Sequence, residues 1–233
     1  TEGATGRFAL VIHGGAGVIE RADMSADDER EILAALGAAL DAGQAVLAGG
    51  GSALDAAEAA VVALEESPRF NAGKGSVYTA EGTHELDASI MEGHTRRAGA
   101  VAGVATIRNP VKLARAVMED SPHVMLIGAG AERFADTVDG IERVRNDWFD
   151  TPARFEQLQQ AQARERAAAQ SPEVDPDDLK GKYFGTVGAV ALDMHGHLAA
   201  ATSTGGMTNK KWGRVGDSPL IGAGTWADAR CAV

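Results

Sequence analysis

The sequence contains a single cysteine, Cys231, among its 233 residues. One cysteine cannot form a disulfide within the chain, and nothing else in the composition indicates an oxidising compartment. The first eight residues do not resemble a secretory signal, and no uninterrupted apolar run approaches the roughly 18 to 20 residues of a membrane span. We therefore expect a cytoplasmic protein with no membrane-embedded segment.

The sequence is also short of basic residues, because 22 lysines and arginines stand against 33 aspartates and glutamates, for a net charge of -11 at pH 7. Nucleic acids and anionic membranes need a cationic face, so neither is an expected partner. Charged residues make up an ordinary 24% of the chain, and 233 residues can bury one substantial core. We predict a single globular domain over residues 1–233.

Four segments carry helix-start signals. Two have a serine followed three residues later by an aspartate, which is capping-box spacing, and two have a proline at the first helical position. These starts are Ser25 with Asp28, Ser52 with Asp55, Asn109-Pro110 and Thr151-Pro152. An acidic, proline-containing stretch follows the fourth predicted helix, and it predicts a mobile linker over about residues 171–185.

Runs of apolar, small and β-branched residues predict the strands. They cover residues 8–12, an antiparallel pair within 78–92 that turns at Gly82, residues 99–107, residues 123–127, and a hairpin formed by 185–193 and 198–202. The hairpin would return Thr204 toward the start of the strand that begins near Thr186.

Thr186 stands where a polar segment becomes a buried strand. A hydroxyl nucleophile needs a base, and a threonine at a chain terminus carries one in its own α-amine, whose unperturbed pKa is about 7.7 to 8.0. Cleavage between Gly185 and Thr186 would create that pair, and a glycine leaves the preceding carbonyl unshielded. The alternative is that Thr186 merely opens a core strand.

Two glycine-rich turns after predicted strands raise a different hypothesis, a non-catalytic nucleotide-binding domain. They occupy residues 13–17 and 128–130, and the second leads into a predicted helix through Phe134. The second turn has Arg133 where the dinucleotide fingerprint has its third glycine, so its pattern is incomplete. Close backbone packing near a substrate pocket is the favoured role of the first turn. His84 lacks the second histidine of a zinc helix, and His195 and His197 flank a hairpin glycine, so we expect none of them to hold a metal.

Seven motifs in one order resemble the plant-type asparaginases, or isoaspartyl aminopeptidases, of the N-terminal nucleophile hydrolase superfamily. They are His13-Gly-Gly-Ala-Gly17, Phe70-Asn-Ala-Gly73, His84-Glu-Leu-Asp-Ala88, Gly99-Ala-Val-Ala-Gly103, Gly185-Thr-Val-Gly188, Ser203-Thr-Gly-Gly206 and Gly213-Arg-Val-Gly-Asp-Ser-Pro219. The resemblance implies an α+β fold, a four-layer αββα sandwich with two stacked sheets. It also implies an α-subunit of residues 1–185, a β-subunit that starts at residue 186, and a dimer of αβ heterodimers. Family members continue past the position of Val233 with a Thr-Gly-Thr-Gly-Glu segment that supplies oxyanion donors. We therefore expect that C-terminal part of the fold to lie outside this chain. We also expect the activity of these residues alone to be impaired.

The resemblance also assigns roles in the site. Thr186 is the nucleophile for self-cleavage after Gly185 and for catalysis, and Thr204 and Asn71 support it. Substrate contacts fall on Arg214 for an α-carboxylate, Asp217 for an α-ammonium group, and Gly14. The implied reaction is hydrolysis of the side-chain amide of L-asparagine and of the isopeptide bond of β-aspartyl dipeptides, which releases L-aspartate. A related alternative is a glycosylasparaginase.

The resemblance implies no organic cofactor but a structural monovalent cation, typically sodium, held by backbone carbonyls. The carbonyls are those of Leu64, Glu65, Ser67, Phe70, Ala72 and Lys74. Hard cations favour oxygen ligands of this kind. The local alternative is an ordinary connection between a helix and a strand.

Overall fold

The computed structural model describes residues 7–15, 24–170 and 185–233. Its strands form one six-stranded sheet in the order β1-β5-β6-β2-β3-β4, in which the β3–β4 pair is parallel and every other neighbouring pair is antiparallel. The strands are β1 (Ala9–His13), β2 (Leu86–Glu92), β3 (Ala98–Val104), β4 (Met125–Ile127), β5 (Val187–Leu192) and β6 (Leu198–Thr204). The predicted hairpin is therefore confirmed, and it lies inside the sheet with β1 on one side and β2 on the other.

All four predicted helices are present. They are α1 (Ala26–Ala48), α2 (Ala53–Glu65), α3 (Pro110–Asp120) and α5 (Pro152–Gln170), and a short α4 (Gly128–Ala135) follows β4 directly. The Ser25 hydroxyl accepts a hydrogen bond from the Asp28 N–H, and Ser52 does the same for Asp55. These caps satisfy backbone donors that have no partner within the helix, which is why both helices begin where the serine-aspartate spacing predicts.

The core lies between the helices and one face of the sheet. Helices α2 and α3 pack on the central strands, and α1 packs on α2 and β1. Inward side chains of the sheet alternate with side chains on its opposite face, so Val187, Ala189 and Ala191 of β5 join this core. On the opposite face, Met91 and Ala200 form a smaller cluster with residues of the C-terminal segment.

Helix α1 is long and apolar enough, by length and composition alone, to cross a membrane, although no uninterrupted apolar run of that length is present in the sequence. The core helix of a protein outside the membrane can meet the same test. Here α1 packs closely on α2 at Gly43, where a Cβ atom would lie 2.9 Å from the Ala56 carbonyl oxygen.

The predicted antiparallel pair within residues 78–92 is wrong. Only the second half forms a strand, β2, and its partners are β3 and β6. The segment around Gly82 is a tight turn in which the Thr79 N–H binds the Thr83 carbonyl, and φ of Gly82 is +77°. The chain before β2 instead forms backbone hydrogen bonds with the loop after β6, from the Asn209 N–H to the Tyr78 carbonyl and from the Ala80 N–H to the Lys210 carbonyl. Buried His84 lies against Ser76 and the Val77 carbonyl.

The mixed α+β class is confirmed, with helices on one face of the sheet. Within residues 7–15, 24–170 and 185–233 there is one sheet, and a second stacked sheet is not among them. The predicted linker falls almost entirely on residues 171–184, which lie outside the described residues.

Candidate active site

The candidate nucleophile lies at the end of β5, where the strand meets the loop before it. Val187 pairs with Ser203 in the β5–β6 ladder, so continuing the register by one residue places Thr186 opposite Thr204. Thr204 in turn pairs with Asp87 of β2. The hairpin therefore brings the two threonines of the predicted site together at one edge of the sheet.

The Thr186 hydroxyl has a side-chain partner that sequence spacing does not predict. Its Oγ1 lies 3.0 Å from Oγ of Ser218, a residue of the long loop after β6. Ser218 is buried, with an exposed fraction of 2%. Ser218 belongs to the Gly213–Pro219 motif, but the resemblance assigns it no role, and only the fold reveals this contact.

Asn71 forms hydrogen bonds with both of the loops that border Thr186. Its side-chain amide donates to the Gly206 carbonyl at 2.8 Å, and its Oδ1 accepts from the Val77 N–H at 3.0 Å. Its own carbonyl accepts from the Gly205 N–H at 3.1 Å. The side chain also borders the predicted cleavage point, since a Cβ on Gly185 would lie 3.2 Å from Asn71 Cβ.

The turn after β1 packs against the same region. A Cβ on Gly14 would lie 2.5 Å from the Phe70 ring, and one on Gly15 would lie 3.3 Å from the Cα of Gly185. Close backbone packing, rather than an open phosphate cradle, explains these two glycines. His13 pairs with Gly188, whose missing side chain leaves room for the imidazole. Burial lowers the pKa of His13, and the Thr186 backbone opposes that change.

The predicted substrate clamp lies on the loop between β6 and the end of the chain. Arg214 is half-buried and its guanidinium lies over Gly216, 3.0 Å from the position of a Cβ there, while Asp217 is exposed. In the part of the chain that the structure describes, the two side chains form no ion pair with each other or with another residue. Arg214 favours the charged form of buried Asp87.

Two buried charged residues lie behind Arg214. Burial lowers the pKa of Lys210 and raises the pKa of Asp87, while each favours the charged form of the other. The Lys210 ammonium donates to the Glu85 carbonyl at 2.9 Å, and Asp87 Oδ1 accepts from the Gly103 N–H at 2.9 Å. The two residues are far apart in the sequence, and only the fold brings the strand and the loop that carry them together.

The loop predicted to hold a cation has carbonyls available for one. The Leu64 and Ala72 carbonyls accept backbone hydrogen bonds at 3.2 Å. For the carbonyls of Glu65, Ser67, Phe70 and Lys74, no donor is found among residues 7–15, 24–170 and 185–233. The loop is also tightly wound, since a Cβ on Gly73 would lie 2.3 Å from the Glu65 oxygen and one on Gly75 would lie 2.1 Å from the Phe70 oxygen. Free carbonyl oxygens in a compact loop fit a hard cation.

Two further histidines lie at the opposite end of the β5–β6 hairpin from Thr186. His195 and His197 lie in the β5–β6 turn, and His197 stacks on His94 with ring centroids 4.1 Å apart. No cluster of three histidine, cysteine or acidic side chains suited to a metal ion is found in the described ranges. At the second glycine-rich segment, α4 begins at Gly128 itself, so no glycine loop separates β4 from the helix.

Comparison with known proteins agrees with this arrangement. A sequence model of the family described as Asparaginase matches residues 6–233. The isoaspartyl peptidase of Escherichia coli (strain K12) is 56% identical over 223 residues, which cover 96% of this chain and 68% of that protein. The isoaspartyl peptidase of Salmonella typhimurium is 55% identical over 222 residues, 95% of this chain and 70% of that protein. The isoaspartyl peptidase/L-asparaginase of Homo sapiens is 44% identical over 220 residues, 94% of this chain and 67% of that protein. The family model matches nearly the whole chain, and the alignments cover at least two thirds of each of these relatives. The protein therefore belongs to the asparaginase family.

Proposed function

We propose that this protein is a self-cleaving threonine hydrolase that acts on the side-chain amide of L-asparagine and on β-aspartyl dipeptides. The observation that carries the proposal is the convergence of Thr186, Thr204 and Asn71 at one edge of the sheet, directly beside Gly185. The names of the relatives, isoaspartyl peptidase and L-asparaginase, support the same substrates.

Self-cleavage begins with the Thr186 hydroxyl. Its Oγ1 attacks the Gly185 carbonyl carbon, the peptide C–N bond breaks, and the hydroxyl proton passes to the departing nitrogen. The acyl group is then an ester on Thr186, and water hydrolyses it to a Gly185 carboxylate and a free Thr186 hydroxyl. The new α-amine of Thr186 is the base that the mature nucleophile needs.

Hydrolysis repeats this chemistry on the substrate. Thr186 Oγ1 attacks the β-carbonyl carbon while the α-amine takes its proton, and that proton then passes to the leaving nitrogen as the amide C–N bond breaks. Ammonia or an amino acid leaves, and an aspartyl ester remains on Thr186. Water, deprotonated by the same amine, attacks the ester, and aspartate leaves as the proton returns to Oγ1.

Arg214 and Asp217 account for the selection of β-linked aspartate. An arginine fork binds a carboxylate through two parallel hydrogen bonds, and an aspartate accepts from an ammonium group. An ordinary α-peptide has one of these α groups tied up in its own bond, so it cannot satisfy both residues. Thr204 polarises the nucleophile, and Gly14 contributes to the wall of the pocket.

The proposal includes the wider assembly. We infer a four-layer αββα sandwich in which a second sheet covers the face that carries Thr186, and a dimer of αβ units. A sodium ion bound by the backbone carbonyls of residues 64–74 would hold the shape of the loop that carries Asn71; it would take no part in proton transfer.

The decisive experiment follows the Gly185–Thr186 bond and the activity together in the purified full-length protein. Intact-mass spectrometry after incubation at neutral pH should show two polypeptides that divide between these residues, and the mature protein should release aspartate from asparagine and β-aspartyl dipeptides. Thr186→Ala should abolish both, whereas Thr186→Ser, which keeps a hydroxyl, should retain slow cleavage. Full activity in the Thr186→Ala protein would sink the proposal.

Substrate comparison separates the related alternative. Rates on a β-aspartyl dipeptide and on glycosylasparagine, measured with the same preparation, should favour the dipeptide. A preference for glycosylasparagine would instead support a glycosylasparaginase.

A further inference from the structure

Three buried hydroxyl groups converge on one backbone carbonyl beside the candidate nucleophile. Ser89 Oγ and Thr202 Oγ1 each lie 2.7 Å from the Ser218 carbonyl oxygen, and Thr225 Oγ1 lies 3.5 Å from it. The three hydroxyls also contact one another, at 3.0 Å for Ser89 and Thr202, 2.8 Å for Ser89 and Thr225, and 2.7 Å for Thr202 and Thr225. They come from β2, β6 and the C-terminal loop.

We call Ser89, Thr202 and Thr225 the hydroxyl cluster, and each of its three protons has an acceptor. A hydroxyl donates one hydrogen bond, and a carbonyl oxygen accepts two. Ser89 and Thr202 take the two lone pairs of the Ser218 carbonyl, where the distances are shortest. Thr225 then donates to the oxygen of either neighbour. The cluster is satisfied without water, as the burial of all three residues requires.

The polarity of the cluster is confined to one end of the sheet face. Along β2 and β6 the same face continues with Met91 and Ala200, which are buried in an apolar cluster. Apolar side chains would therefore suffice to pack this surface. Three buried hydroxyls in place of apolar groups can fix the position of the loop, because hydrogen bonds to its carbonyl are directional.

The residue held in this way is the one whose side chain reaches the nucleophile. In the described part of the chain, the Ser218 hydroxyl has Thr186 Oγ1 as its sole hydrogen-bond partner, at 3.0 Å. We propose that Ser89, Thr202 and Thr225 are positioning residues that fix Ser218, and that the Ser218 hydroxyl orients Thr186 Oγ1 for attack. This inference rests on the proposed function of Thr186.

Donation from Ser218 to Thr186 leaves the nucleophile's own proton free. Thr186 can then direct its O–H toward its α-amine and a lone pair toward the substrate carbonyl. Such orientation acts on the attacking atom and not on the α groups of the substrate. The kcat of hydrolysis should therefore depend on Ser218, while KM should not.

The test measures kcat and KM on a β-aspartyl dipeptide in the full-length enzyme. Ser218→Ala should lower kcat roughly ten-fold or more while KM stays within about two-fold. Thr202→Val, which keeps shape and removes the hydroxyl, should lower kcat about two- to ten-fold, the range expected for one hydrogen bond. Thr202→Ser restores the hydroxyl and should recover wild-type kcat. The matched control is Thr208→Val, because Thr208 Oγ1 is buried without a hydrogen-bond partner among the described residues.

The double variant Thr202→Val with Ser218→Ala distinguishes positioning from independent effects. If Thr202 acts through Ser218, the double variant should have the kcat of Ser218→Ala alone, because the cluster then has nothing left to position. Multiplied losses, or a Thr202→Ser variant as slow as Thr202→Val, would overturn the inference. If Ser218→Ala does not fold, the comparison of Thr202→Val, Thr202→Ser and Thr208→Val decides the question by itself. An active wild type with unchanged variants contradicts this inference alone, whereas a wild type without activity on either substrate contradicts the proposed function and this inference with it.

Discussion

At the scale of single residues, Gly205 shows how closely the loops of the site are packed. A Cβ at this position would lie 2.6 Å from Asn71 Oδ1 and 2.9 Å from the Val77 nitrogen, the two atoms that bond to each other. Any side chain here must separate Asn71 from Val77. The glycine is therefore required by contact and not by backbone angle.

We predict that Gly205→Ala lowers the free energy of unfolding by about 1 to 3 kcal/mol, the usual effect of overpacking, and slows Gly185–Thr186 cleavage. Urea unfolding and intact mass measure the two effects. The matched control is Gly37→Ala in α1, where no atom lies within 4 Å of the added Cβ. There the same change should stabilise by about 0.5 to 1 kcal/mol, because alanine favours a helix interior. Equal effects at both positions would contradict the prediction.

The buried side chain of His84 makes the free energy of unfolding depend on pH. The side chain is fully buried; burial lowers its pKa from 6.5, Asp150 favours its protonated form and Lys74 opposes it. The folded state thus binds fewer protons than the unfolded state, for which the pKa is the ordinary one. The resulting stability is complete above about pH 6.5 and is lost as the pH falls toward the folded-state pKa.

We predict that the free energy of unfolding of the wild type rises with pH below about pH 6.5, with His84 contributing up to about 1.4 kcal/mol per pH unit. His84→Gln should flatten this rise, whatever its effect on stability at pH 7. His94→Gln, at an exposed histidine, serves as the comparison variant for the loss of an imidazole. The readout is urea unfolding at several pH values, and parallel curves for the wild type and His84→Gln would refute the assignment.

At the scale of elements, Asp193 joins the β5–β6 hairpin to helix α2. Its carboxylate accepts from the Ala53 N–H at the helix start, at 3.1 Å, and from the His195 and His197 N–H groups in the turn, at 2.9 and 3.0 Å. Burial acts to raise the pKa of Asp193, but these backbone donors together hold it below its usual value. The hairpin that begins at Thr186 is thereby anchored at its far end.

We predict that Asp193→Ala lowers the free energy of unfolding by about 2 to 4 kcal/mol, because three backbone donors lose their acceptor together. Ser52→Ala, which removes the other cap of α2, should cost about 1 kcal/mol. Asp193→Asn keeps one acceptor oxygen and should fall between the wild type and Asp193→Ala. Chemical denaturation of the three variants gives the order, and a smaller loss for Asp193→Ala than for Ser52→Ala would contradict the role of the carboxylate.

For the whole molecule, the order of the strands determines whether the sheet stays intact after cleavage. Strands β5 and β6 follow the predicted cleavage point, yet in the sheet they lie between β1 and β2, which precede it. Their ladders to β1 and β2 include five and six paired positions. A break at Gly185–Thr186 therefore cuts the chain without opening the sheet.

We predict that the two polypeptides produced by cleavage remain together. They should elute as one species in size-exclusion chromatography under native conditions and separate only in denaturant. The uncleaved Thr186→Ala protein is the control and should elute at the same volume. Separation of the fragments without denaturant would mean that the ladders of β1 and β2 do not hold the hairpin.

The local signals of the sequence predict much of this fold. Serine caps, N-terminal prolines and the β5–β6 hairpin predict the helices and the central strands, because each depends on residues within a few positions of one another. The same signals fail around Gly82, where the backbone before the turn pairs with the distant loop after β6 and not with β2. The resemblance carried by the ordered motifs predicts Thr186, Thr204 and Asn71 in one site.

Local residue patterns thus predict most of the helices and strands, and the ordered motifs indicate the family and the role proposed for Thr186. The order of the strands, the burial of Lys210 beside Asp87, and the contact of Ser218 with Thr186 depend on the tertiary fold. Ser218 is 32 residues from Thr186 and 129 from Ser89, whose hydroxyl binds its carbonyl. Contacts over such separations leave no local spacing in the sequence, because they depend on how the sheet and the final loop pack together.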